Sequence, residues 1–147
     1  MSTGLVYNFG NLQELQARIN RLARLNKPEL LDIVGAKVES QTRRRISDEK
    51  ENPEGSSWPA WSAKYAKRRP SGRTLLMSED HLLGSITHLS VDHDSIEVGS
   101  NMIYAATHQF GDEDRNIPAR AFLGISDDDE TELIRDIDIF LDRVMGH

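Results

Sequence analysis

Three groups of residues in this sequence have types that could do chemistry: five histidines, an acidic run near the C-terminus, and a set of aromatics among cations. His81, His88, His93, His108 and His147 fall in no H-E-x-x-H or comparable ligand spacing. His88 and His93 could meet across a hairpin, but zinc would still want two more ligands. The histidines therefore read as solvated side chains, and no metal or cofactor is expected. Asp127-Asp128-Asp129 lacks the alternating acids and central Gly of a calcium loop. It reads instead as carboxylates at the positive end of a helix. No serine lies in a G-x-S-x-G elbow, and no Gly-rich phosphate loop occurs. No residue is expected to be catalytic.

Trp58, Trp61 and Tyr65 stand among Lys64, Lys67, Arg68, Arg69 and Arg73. Such a mixture can stack bases and track a phosphate backbone. It can also be two tryptophans folded onto a core beneath solvated cations. A third reading is a protein interface, where Trp, Tyr and Arg are the preferred anchors. The second and third readings weigh equally, and both outweigh the first.

These residues must be positioned by the elements around them. Leu12, Leu15, Ile19, Leu22 and Leu25 make one apolar stripe of a helix over about 11–25. Asn26 and Pro28 break the pattern, and Pro28 suits the first turn of a second helix. Leu30, Leu31, Val34, Val38 and Ile46 continue the period over about 28–47, ending on Arg43-Arg44-Arg45. The two segments read as a helical hairpin. Residues 48–73, with Asn52-Pro53-Glu54-Gly55 and Pro70-Ser71-Gly72, read as a mobile loop carrying at most a short helix. Ser78-Glu79-Asp80 can start a helical turn into Leu82 and Leu83. The runs Ser85 to Val91 and Ser95 to Val98, split by Asp92-His93-Asp94, read as a hairpin. Ile103 to Phe110 is ambiguous between helix and strand, and Ala119 to Ile125 reads as a strand. Ser126 is an N-cap for a last helix over about 127–144, with Leu133, Ile137, Phe140, Leu141 and Val144 as its inner stripe. The fold class is α+β: a helical hairpin and a C-terminal helix packed on a small, mostly antiparallel sheet drawn from residues 84–125.

At 147 residues the chain fits one domain, able to bury a core without staples. Cysteine is absent, which suits a reducing compartment. Neither a basic-then-apolar leader nor a run near 20 apolar residues is present, so a soluble protein with no membrane partner is expected. The net charge of −6 is unevenly laid out. Residues 37–73 hold ten basic and five acidic side chains, whereas residues 74–147 hold four and sixteen. That asymmetry bears on association.

Residues Tyr104-Ala105-Ala106-Thr107-His108-Gln109-Phe110-Gly111 are followed by Ile117-Pro118-Ala119-Arg120-Ala121-Phe122-Leu123-Gly124. This pair of motifs, in this order, resembles the Mu-type phage virion morphogenesis family, also called tail completion proteins. The segment Gly55 to Trp61 looks like the family's Gly/Trp loop, and Leu82 to Ile86 with Ile96 to Ser100 looks like its hairpin. The resemblance runs from about Leu12 to Val144. Asp80 stands where the family usually has Gly, and Ala121 where it usually has Pro.

The resemblance implies a structural assembly protein of a tailed bacteriophage and not an enzyme. It would complete or cap the tail or the head–tail joint, in the bacterial host cytoplasm during assembly and in the virion. The implied partners are other phage tail or neck proteins and further copies of the chain, in a ring for which six is the natural number. Nucleic acid, bound through residues 58–73, is the alternative. Tyr104, His108, Gln109, Phe110, Gly111, Pro118, Arg120 and Phe122 carry over as signature positions with structural or interface roles. Trp58, Trp61 and Tyr65 are the expected interface anchors, with Arg43, Arg44, Arg45, Lys67, Arg68 and Arg69 as a charged rim.

Overall fold

A long helix, α1 (Gln13–Arg44), lies against a three-stranded sheet and against a second long helix, α5 (Asp127–Met145), in the computed structural model. The structure describes residues 3–8, 13–68, 75–76, 81–92 and 95–145, with side-chain surroundings for 27–68, 75–76, 81–92 and 95–144. The sheet joins β1 (Thr3–Asn8), β2 (Thr87–Ser90) and β3 (Ser95–Ser100) in the order β1-β3-β2, all antiparallel. A π-helical turn (Arg45–Glu49) directly continues α1, and short helices α2 (Ala63–Arg68), α3 (His81–Ser85) and α4 (Ala105–Phe110) complete the described elements. The α+β class, with helices on a small antiparallel sheet, is as the sequence indicates.

Three expectations are corrected. The boundary at Asn26 and Pro28 is absent, because α1 runs unbroken through Pro28. A proline inside a helix costs one backbone hydrogen bond and about 3 kcal/mol. Leu30, Leu31, Val34 and Val38, all buried directly after it, offset that cost. The antiparallel helix pair is therefore α1 with α5, and not 11–25 with 28–47. Its register is marked by Glu29–Arg143 at 2.9 Å, Lys37–Asp136 at 3.3 Å and Arg44–Asp129 at 3.1 Å.

The second correction is β1, which pairs Thr3 with Ser100 through Asn8 with Ser95 and makes β3 the central strand. The third is Ala119 to Ile125, which runs outside the sheet. Backbone groups of residues 121–124 are taken by side chains instead of a neighbouring strand.

The core fills the space between α1, α5 and the inner face of the sheet: Val34, Val38 and Ile46 meet Ile86, Ile96, Val98, Leu133, Ile137 and Leu141. Gly35 sets how closely the sheet approaches. A Cβ there would lie 2.5 Å from both the His88 ring and Ile96 Cδ1. The N-terminus of α5 is closed as the sequence suggests. Asp129 N donates to Ser126 Oγ at 3.0 Å, and Ser126 N donates back to Asp129 Oδ2 at 3.3 Å, a reciprocal capping box.

Candidate functional site

The three adjacent arginines at the end of α1 and the start of the π-helical turn after it part company. Arg45 is 1% exposed, ion-pairs with Asp129, and donates to the carbonyls of Phe122 at 2.7 Å and Gly124 at 3.3 Å. Arg44 is half-exposed and bridges Asp129, Glu132 and Glu49. Arg43 donates to the Ile86 carbonyl at 2.8 Å and pairs with Glu39 at 2.9 Å. All three are spent within the chain. The buried pair also accounts for the acidic run: Asp127 and Asp128 face solvent, while Asp129 is 1% exposed.

Around this hub the signature segments lock together. Gln109 works as a clamp: Oε1 accepts from Phe122 N at 3.1 Å and Leu123 N at 3.0 Å, and Nε2 donates to Leu123 O at 3.3 Å. Arg120 N donates to His108 O at 2.7 Å. The Arg120 guanidinium reaches the carbonyls of Pro59 at 2.8 Å and Ala60 at 3.1 Å. Trp58 is 5% exposed and donates from Nε1 to Ala121 O at 2.9 Å. Phe122 is fully buried. Buried backbone groups must find partners, and here Gln109, Arg45 and Trp58 serve residues 121–124 in place of a β-ladder. Gly111 ends α4 at φ +76°, against Ile117 and Ala119.

Trp58 is thus a core side chain whose ring is not available as an anchor. Trp61 is half-buried and meets Tyr65 edge-on, 5.8 Å between centroids. Lys64, Lys67 and Arg68 are exposed on α2. Arg69 and Arg73 lie outside the described residues, as do His93 and His147.

The signature positions of α4 divide by face. His108 and Gln109 turn inward, whereas Phe110 is 73% exposed. Tyr104, 38% exposed, meets the His108 ring edge-on at 5.6 Å, and Ile103 before it is 87% exposed. Pro118 is exposed. Sequence reasoning missed Ile103, because an apolar residue in a turn gives no sign of its exposure until its surroundings are known.

Burial, with the Arg120 guanidinium beside it, pushes the His108 imidazole below its usual range. Among the described residues its Nδ1 has no hydrogen-bond partner. His88 is the opposite case. Burial alone would lower it, but hydrogen bonds to Glu39 on Nδ1, 2.5 Å, and Asp32 on Nε2, 3.0 Å, outweigh burial and raise it. Among the described residues no group of three His, Asp or Glu side chains is placed to hold a metal ion. No helix among them is long and apolar enough to cross a membrane.

Residues 10–142 match the family described as the phage virion morphogenesis family. The chain is 33% identical over 134 residues to Mu-like prophage FluMu G protein 2 of Haemophilus influenzae, covering 86% of this chain and 88% of that protein. No solved structure matches it.

Proposed function

The chain belongs to the phage virion morphogenesis family, and from that premise we propose that it completes or caps the tail, or the head–tail joint, of a tailed bacteriophage through protein–protein contacts. The family implies a structural role in place of a catalytic one. The observation that supports the reading is how the signature residues are spent. Gln109, Arg120, Trp58 and Phe122 make a rigid scaffold of hydrogen bonds and buried rings. What that scaffold presents outward is apolar and charged surface: Ile103, Tyr104 and Phe110 about α4, and the cations and Tyr65 of α2. Exposed apolar side chains gathered on a rigid support are the mark of a binding surface.

The partners are tail or neck proteins and further copies of the chain, in a ring that matches the symmetry of a tail tube. The protein acts in the host cytoplasm during assembly and stays with the virion. Deleting the gene from an inducible prophage and imaging the lysate tests the reading. Detached tails and heads, or tails of unregulated end structure, are expected, with rescue by the full chain in trans. Complete, infectious particles without the protein would overturn it.

One observation favours a second reading, a nucleic-acid contact through α2: Trp61 and Tyr65 lie beside exposed Lys64, Lys67 and Arg68. Affinity for DNA that falls steeply between low and high salt, and is lost in Lys64→Glu/Lys67→Glu, would establish it.

A further inference from the structure

Helix α2 is a helix without a core. Its six residues include none that is buried. A helix this short is marginal in water by itself, and Ser62 supplies its N-terminal hydrogen bonds, with Tyr65 N on Ser62 Oγ at 3.2 Å and Ala66 N on Ser62 O at 2.9 Å. The arm that carries it is, by contrast, firmly held, at Trp58 by Ala121 and at Pro59 and Ala60 by Arg120. Lys64, Lys67 and Arg68 project from it with no ion pair among the described residues.

Helix α4 offers the converse surface. Ile103 stands in the turn that leads into α4 and Phe110 is the last residue of the helix, so the two bracket it. Their exposures are 87% and 73%. The loop that follows carries Glu113 and Asp114, both exposed, whereas Asp112 is taken by Arg115 at 2.7 Å. One element thus carries an aromatic ring and three cations, and another an apolar patch edged by two carboxylates. Lys64, Tyr65, Lys67 and Arg68 on the one, and Ile103, Phe110, Glu113 and Asp114 on the other, are all exposed.

We propose that α2 of one copy docks on the Ile103–Phe110 patch of a second copy, with Lys64, Lys67 and Arg68 meeting Glu113 and Asp114 and the Tyr65 ring lying on Ile103 and Phe110. The contact rests on the assembly reading above and names its self-contact. It joins two different surfaces, so it is heterologous and propagates from copy to copy until a ring closes. The charges set orientation and encounter rate, and the apolar patch holds the joint.

Charge reversal tests it on the full chain, with sedimentation velocity as readout and circular dichroism to verify folding. Glu113→Lys/Asp114→Lys makes both surfaces of the joint basic. Lys64→Glu/Lys67→Glu/Arg68→Glu makes both acidic. Each variant alone is expected to self-associate at least about tenfold more weakly than the native chain, and Phe110→Ser likewise. An equimolar mixture of the two reversed variants restores every charge pairing and is expected to recover native-like assembly. Reversed variants that assemble like the native chain, or a mixture that fails to recover, would overturn the joint. A native chain that stays monomeric and binds only purified tail tubes would overturn the second copy as occupant, while leaving the assembly role to be judged by the deletion phenotype.

Discussion

Arg45 and Asp129 form an ion pair inside the protein, each 1% exposed, that ties the end of α1 to the first turn of α5. Two charges taken out of water are costly, and a buried pair stands only when every remaining hydrogen-bond site is filled. Arg45 Nη1 donates to the carbonyls of Phe122 and Gly124. Asp129 takes Arg44 on one oxygen and the Ser126 amide on the other. The signature segment and both long helices therefore share one polar hub.

Breaking that hub from one side leaves an uncompensated charge. Arg45→Met or Asp129→Leu is expected to cost about 3–5 kcal/mol in urea unfolding. The double variant should cost less than the sum of the two, because no lone charge remains buried. Strict additivity would show that the pair is not coupled.

His88 straps β2 to α1 through Asp32 and Glu39, with Arg43 on the far side of Glu39. Its folded-state value is raised, above an unfolded value of about 6.5. The strap's contribution is therefore whole below about pH 6.5 and is lost as pH climbs through the folded value. Unfolding free energies measured at steps from pH 6 to pH 9 should decline more for the native chain than for His88→Gln. Equal slopes would remove His88 as the source.

Gly111→Ala should be destabilising by about 1–3 kcal/mol, since φ is +76° and the new Cβ would lie 2.7 Å from Ala119 N and 2.9 Å from Ile117 O. Gly84→Ala in α3 is the control. Nothing lies within 4 Å of that Cβ, so the change should be neutral or stabilising by up to about 1 kcal/mol. Thermal melts of the two variants decide the comparison.

Trp58→Phe keeps most of the buried ring but leaves the Ala121 carbonyl without its donor. A loss of about 1–3 kcal/mol is expected, with faster amide exchange at 121–124 as the local signature. In the native chain, amides of 62–68 should exchange fast in the monomer and slow on assembly. Full protection in the monomer would show that α2 is already covered.

The sequence by itself determined whatever depends on neighbours along the chain. The Ser126 cap, the inner stripe of α5 and the hairpin of β2 and β3 were legible from period and turn chemistry. The paired motifs at 104–111 and 117–124 carried the family. Only the tertiary structure decided matters set by contacts distant in sequence. Thr3–Asn8 became a strand because β3, more than 85 residues later, pairs with it. Helix α1 crosses Pro28 because the residues after it are buried. Ala119 to Ile125 stays out of the sheet because Gln109, Arg45 and Trp58 claim its hydrogen bonds first. Three adjacent arginines, and three adjacent aspartates, are indistinguishable in composition. Neighbours on a helical turn point in different directions around its axis, and a single step carries Arg45 and Asp129 into the core while Arg44 and Asp128 remain nearer the surface.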